Sequence, residues 1–231
     1  VADRFHFDPA EVAVPAVLPT GRPLHVEVGF GKDVRLLREA AARPDEDFVG
    51  IEISRKKALS FCRKVARAGL RNVRACQADV RRVLAELPAG SVTSFTILFP
   101  DPWPKRRHWK NRWIQPGTAA LLVRALVPHG TVTTATDHPG YRDQIRACLL
   151  GAGLELLHEG GEVPLADRTL FTERFERLQS PVTYSRWRRA RPSAPEEGAK
   201  AGSLARHLEA VELPVHRRAA DAERTRRAGD V

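Results

Sequence analysis

The chain has 231 residues, 42% of them hydrophobic, which allows one α/β domain with a single core, or a domain with a tail. No apolar run is long enough to span a membrane and no secretory leader is recognisable. Cys62, Cys76 and Cys148 have no metal-like spacing, so a helical membrane protein, a disulfide scaffold and a zinc module are all excluded. The formal net charge of +10 points to a polyanionic partner, nucleic acid ahead of membrane.

Residues 1–20 read as irregular. Leu24–Val28 is a short apolar strand that Gly29-Phe30-Gly31 turns into a helix with Val34, Leu36, Leu37, Ala40 and Ala41 as its apolar positions. Phe48–Ile53 is a second strand. Ser54 is placed to cap the next helix, whose apolar face is Ala58, Leu59, Phe61, Cys62, Val65 and Ala66. Its other face is cationic: Arg55 to Arg74 holds eight basic residues and no acid. Asn72–Cys76 is a third strand, with Asp79 opening a helix through Leu87, and Val92–Phe99 is a fourth strand. A helix over Gln115–Val127 ends at Pro128 and Gly130, and Gly130–Thr136 is a strand with Asp137 just past it. Tyr141–Leu150 is a helix and Leu154–Glu159 a strand. Thr169–Trp187 is expected to add one or two strands.

This alternation predicts an α/β fold with a mostly parallel sheet covered by helices on both faces. The domain is expected over 21–190. From Arg191 onward eight basic and seven acidic residues nearly cancel amid Pro and Ala, so 191–231 reads as a mobile tail.

Residues 98–113, Leu-Phe-Pro-Asp-Pro-Trp-Pro-Lys-Arg-Arg-His-Trp-Lys-Asn-Arg-Trp, are the most informative stretch. Three prolines make it a rigid loop, neither strand nor helix, at the end of the fourth strand. Open α/β sheets carry their chemistry on such loops. One acid, three tryptophans and five cations suit a nucleobase and its phosphates.

The four candidate strands also end in acids: Glu27, Glu52, Asp79 and Asp101. A dinucleotide fingerprint needs a third glycine, but Gly31 is followed by Lys32, Asp33 and Val34, and Asp33 would repel a pyrophosphate. Acids at this turn suit a cationic, phosphate-free cofactor such as S-adenosylmethionine. Glu52 is placed for ribose hydroxyls and Asp79 for the adenine amino group, and capping the helix that follows is the alternative role for either.

Glu27-Val-Gly-Phe-Gly31, Gly50-Ile-Glu52 and Phe99-Pro-Asp-Pro-Trp-Pro-Lys105 together resemble the bacterial tRNA (guanine-N7)-methyltransferase family, over about residues 24 to 177. The resemblance implies a class I methyltransferase (Rossmann-like) sheet of seven strands, the last antiparallel. It implies methyl transfer from S-adenosylmethionine to N7 of guanine 46 in the tRNA variable loop, in a cytoplasmic monomer or homodimer without metal. Glu27, Gly29, Gly31, Glu52 and Asp79 then correspond to cofactor contacts, and Asp101 to the active-site acid beside the cofactor. Lys105, Arg106, Arg107 and Asp137 correspond to tRNA or guanine contacts, and Glu173-Arg174-Phe175-Glu176 to the segment that closes the site. Asp33 stands where the family usually has Gly, and Glu173 where it usually has Thr.

Guanine N7 has a free lone pair, so such a reaction needs positioning more than a base. Asp101 is expected to orient the guanine through N1–H and N2–H and to offset the charge that grows on it. Trp103 is a candidate stacking ring, and Lys110 and Arg112 are expected among the phosphate contacts. Two alternatives stay open: a same-fold methyltransferase acting on an exocyclic amine, and a non-catalytic RNA-binding module with a residual cofactor pocket.

Overall fold

A computed structural model describes residues 6–7, as backbone, and residues 21–190. The chain divides into two units, Val1–Arg191 and Pro192–Val231. The expected mobile tail lies outside the described residues, as does the expected irregular start apart from residues 6–7.

The strands are β1 (His6–Phe7), β2 (Leu24–Val28), β3 (Asp47–Glu52), β4 (Val73–Gln77), β5 (Val92–Leu98), β6 (Leu126–Thr136), β7 (Leu154–Gly160) and β8 (Thr183–Arg189). They form one sheet in the order β1-β4-β3-β2-β5-β6-β8-β7. All pairs from β1 to β6 are parallel, and β8 runs antiparallel between β6 and β7. The expected seven strands are therefore present, with the last one antiparallel. The two-residue β1 is an eighth, where the sequence reads as irregular.

The helices are α1 (Arg35–Ala42), α2 (Arg55–Arg67), α3 (Val80–Glu86), α4 (Pro116–Ala125), α5 (Pro139–Gly151) and α6 (Leu170–Arg177). Period-2 alternation along the strands divides the core between two faces. Phe48 and Ala75 point to α1 and α2, where they meet Leu36, Ala40, Ala58, Phe61 and Val65. Val49, Ile51, Phe95 and Ile97 point the other way, to Leu84, Leu122, Tyr141, Ile145 and Leu149 of α3, α4 and α5. Every residue of β3 is buried, as a strand covered on both faces requires.

Thr169–Trp187 contributes one strand, as expected, and also the helix α6, because Thr169 and Thr172 form a reciprocal capping box that starts a helical turn. Three local expectations are corrected. The loop after β5 contains a 3₁₀ turn over Arg106–Asn111, once the last proline is passed. The strand β6 begins at Leu126 and runs through Pro128 and Gly130. The register slips there between Val92 and Ser94 of β5, and a bulge is where a strand tolerates proline. Ser54 also makes no side-chain cap on α2.

Candidate active site

The chain winds outward from β2 through β3 to β4, then returns to the opposite side of β2 as β5 and β6. The order reverses between β2 and β5, and in open α/β sheets the crevice beyond the carboxyl ends at such a reversal is the binding site. The turn at Gly29-Phe30-Gly31 and the loop beginning at Phe99 border that crevice. The expected acids Glu27, Glu52, Asp79, Asp101 and Asp137 all fall at this edge.

The turn is built around its glycines. Gly29 and Gly31 have φ of 74° and 59°, and a Cβ at Gly29 would meet nothing within 4 Å, so the backbone there is open to a ligand. Phe30 folds back over β3. A Cβ at Gly50 would lie 2.4 Å from its ring, so only glycine lets the turn close down on the strand.

Glu52 is buried. Its carboxylate accepts hydrogen bonds from the N–H of Gly31 at 3.1 Å and of Ser54 at 2.9 Å, with Lys57 Nζ at 3.9 Å. Each oxygen keeps acceptor capacity. Next to it Ile53 is 70% exposed, an apolar side chain at the mouth of the crevice that the sequence reading passes over because it looks like the end of a strand.

Glu27 is buried against Arg35, whose Nη2 donates to Oε2 at 3.1 Å. Arg35 Nη1 donates to Asp167 at 3.2 Å, and Asp167 also accepts from the Tyr184 hydroxyl at 2.6 Å. Burial pushes the Glu27 carboxyl up, and Arg35 pulls it back. Burial also opposes the charge on Arg35, but Glu27 and Asp167 outweigh it and hold its pKa up, so the guanidinium is charged. The buried cluster thus sets two carboxylates against one guanidinium. Arg35 Nε has no hydrogen-bond partner among the described residues.

Asp79 caps α3, accepting from Arg81 N–H at 2.9 Å, and its carboxylate is gripped by the Arg81 guanidinium at 2.8–3.2 Å. Burial disfavours its charge, but these hydrogen bonds prevail and hold its pKa below the usual carboxylate range. The capping alternative left open by the sequence is thus realised.

The loop after β5 is in a different state. Phe99 and Trp103 have φ of 52° and 41°, a conformation rare outside glycine. Asp101 is exposed and makes no hydrogen bond or ion pair among the described residues, so it does not cap the Pro-Trp-Pro turn. The side chains of Lys105 and Asp137 are equally without such partners among the described residues. Arg106 lies over the Trp109 ring at 5.7 Å, and Arg107 Nε approaches His108 at 3.3 Å. Trp103 is half-exposed and meets His108 edge-on.

Arg112 corrects an expectation. Instead of reaching phosphates it is 1% exposed and fastens the loop from beneath. It donates to Pro102 O at 2.7 Å, Gly140 O at 3.1 Å and Gln144 Oε1 at 2.9 Å, and lies over the rings of Trp109 and Tyr141 at 4.6 and 4.8 Å. Burial pushes the Tyr141 hydroxyl up to about 12, so it stays neutral. A single cation in an Arg-rich run gives no sequence signal of burial.

Glu173-Arg174-Phe175-Glu176 lies in α6. Phe175 and Phe171 pack on Phe99 at 5.2 and 5.8 Å, two residues before Asp101. Glu173 and Arg174 are exposed, and Glu176 pairs with Arg168. Among the described residues no group of three or more His, Cys, Asp or Glu could hold a metal ion, and no helix is long and apolar enough to cross a membrane.

The strand order, the antiparallel β8 and the crevice at the reversal define the class I methyltransferase fold. A family described as "Putative methyltransferase" matches residues 21–183. A curated tRNA (guanine-N(7)-)-methyltransferase of Rhodopseudomonas palustris is 39% identical over 58% of this chain and 51% of its own length. One of Nitrosococcus oceani is 38% identical over 71% of each. The chain therefore belongs to the tRNA (guanine-N7)-methyltransferase family. It spans about half of the first relative's length. Among solved structures, the 16S rRNA methyltransferase KamB superposes with a TM-score of 0.56 at 16% identity, covering 73% of this chain and 88% of that one, a likeness of fold alone.

Proposed function

We propose that the protein transfers a methyl group from S-adenosylmethionine to N7 of guanine 46 in tRNA, with residues 21–190 as the catalytic domain and 191–231 as an appendage, in a cytoplasmic monomer or homodimer. The observation that carries the reading is the Asp101 carboxylate on a fastened loop at the sheet reversal, without a hydrogen-bond or ion-pair partner among the described residues and next to cations that likewise have no ion-pair partner there.

The crevice suits this cofactor on its own chemistry. The open backbone at Gly29 leaves room for a ligand beside the turn. The two carboxylates of Glu27 and Asp167, set against the one guanidinium of Arg35, favour a cation and disfavour a pyrophosphate. Glu52 has acceptor capacity for ribose hydroxyls, and Ile53 offers apolar surface to a purine. When bound, the cofactor supplies an already activated methyl group on a sulfonium. Asp79 is assigned to the adenine amino group, which would share the carboxylate with Arg81.

On the other side of the crevice, Asp101 accepts from guanine N1–H and N2–H, which fixes N7 toward the cofactor and offsets the charge gained on alkylation. No proton need leave the base. Lys105, Arg106 and Arg107 meet tRNA phosphates, Asp137 meets the guanine or its ribose, and Glu173 to Glu176 close over the base.

Unmodified tRNA incubated with methyl-labelled cofactor should gain label that renders the chain cleavable by aniline at position 46. Asp101→Ala should cut turnover at least about 100-fold while cofactor affinity stays within a few-fold. Label on an exocyclic amine would refute the N7 assignment, and full turnover in the variant would refute the role of Asp101.

A further inference from the structure

Three side chains at the start of α1 reach a segment more than a hundred residues later. Asp33 Oδ1 accepts from the N–H of Val34 at 2.7 Å and of Arg35 at 2.9 Å. Its Oδ2 accepts from Leu170 N–H at 2.7 Å, across 137 positions of sequence. The same carboxylate therefore ends the glycine turn, starts α1 and receives the first N–H of α6. Arg35 reaches Asp167, which Tyr184 holds from β8, and Arg38 Nη2 donates to Arg168 O at 2.7 Å.

The helix held in this way carries Phe171 and Phe175 onto Phe99, whose strained backbone leads directly into Asp101. The two sides of the crevice are thus joined twice: once by the sheet between β2 and β5, and once through Asp33, α6 and the phenylalanine cluster. The sheet is rigid. The second connection rests on the Asp33 carboxylate, the Arg35–Asp167 and Arg38–Arg168 contacts and three packed phenylalanine rings, and Phe171 is 49% exposed. It is the connection that ligand occupancy on either side can bias.

We infer that Asp33 is a positioning residue that couples the cofactor turn to the guanine side of the site by seating α6. This rests on the proposed function and adds to it a route by which cofactor and tRNA strengthen each other's binding. Coupling of this kind is reciprocal, and typical values are about 5- to 150-fold in affinity. An aspartate at this turn reads from sequence only as an obstacle to pyrophosphate. In the structure its charge is consumed by three backbone N–H groups, two of them at helix starts where a negative charge is stabilising.

Asp33→Asn separates the functions of the carboxylate. Its one oxygen can still cap α1, but its NH₂ cannot accept from Leu170 N–H. Hydrogen exchange of the ligand-free protein should show faster exchange over Leu170–Arg177 and little change in α1. Titration of the demethylated cofactor with and without unmodified tRNA should show mutual strengthening in the wild type, and the ratio of the two affinities, which cancels any loss common to both, should be reduced at least about fivefold in Asp33→Asn. Asp33→Glu should recover part of the coupling. Wild-type exchange and wild-type coupling in Asp33→Asn overturn the inference, as does an absence of coupling in the wild type. A wild type that binds no cofactor overturns the proposed function as well, and that outcome is distinct because it appears before any variant is compared.

Discussion

The turns after β2, β3 and β4 and the loop after β5 share one edge of the sheet, but their charges are used in opposite ways. On the first side every acid is already held: Glu27 by Arg35, Glu52 by two backbone N–H groups, Asp79 by Arg81 and Asp33 by three N–H groups. On the second side Asp101 and the side chain of Lys105 have no hydrogen-bond or ion-pair partner among the described residues. A buried carboxylate must be paired to stay charged, whereas an exposed one can wait for its ligand. The first side thus fixes a shape before anything binds. The second holds donors and acceptors without partners among the described residues, as the proposed tRNA substrate requires.

The contrast is broken most severely at Arg112, which makes the free side possible by holding it from below. Arg112→Ala removes the donor to Pro102 O, Gly140 O and Gln144 Oε1 and empties the space between Trp109 and Tyr141. It should cost about 3 kcal/mol in unfolding free energy and lower turnover well beyond what that loss explains. Arg112→Lys keeps the charge without the planar fork and should fall between. Denaturant titration and kcat at a temperature where the variant is fully folded check this. A stable variant with an intact rate would mean that the prolines alone order the loop.

A smaller effect is expected at Glu52. Glu52→Gln replaces one acceptor oxygen by a donor, so either Gly31 or Ser54 loses its partner and a ribose hydroxyl competes for what is left. Cofactor affinity should fall about tenfold, roughly the value of one hydrogen bond to a charged group, with the KM for tRNA little changed. A change in the tRNA parameter alone would place Glu52 on the wrong side of the comparison.

Much of this was legible in sequence, for physical reasons that differ by element. The strand Leu24–Val28 has the bounds expected of it, because an apolar run ending at Gly29 has no other low-energy reading. The site edge was legible because strand ends and acids coincide. What pairs with each acid was not legible. Arg35 lies eight positions after Glu27, but Asp167 and Leu170 lie more than a hundred positions from the residues they meet, and no local pattern encodes such contacts. The helix α6 was missed because Thr169 and Val182–Trp187 have strand-like composition, while the capping box that starts the helix lies in two threonines. Arg112 was misread because its neighbours are exposed cations and burial leaves no trace in composition.

The mildest test concerns Asp79, where structure and proposed ligand compete for one carboxylate. Asp79→Ala removes the cap on α3 and should cost about 1 kcal/mol near neutral pH. The native-state pKa of Asp79 is depressed, chiefly by Arg81 working against burial, so the native state holds the charged form more firmly than the unfolded chain. Its contribution is therefore complete above the unfolded value of about 3.9 and is lost as pH falls through the lower native value. The stability gap between wild type and Asp79→Ala should be flat from about pH 5 to 7 and close in more acidic solution. A gap that widened on acidification would reverse the sign and exclude the Arg81 contact as its cause. Arg81→Ala then isolates the ligand's share: it frees the Asp79 carboxylate, so cofactor binding should hold or tighten if adenine uses that acid. Weaker binding would mean that Arg81, not Asp79, faces the cofactor.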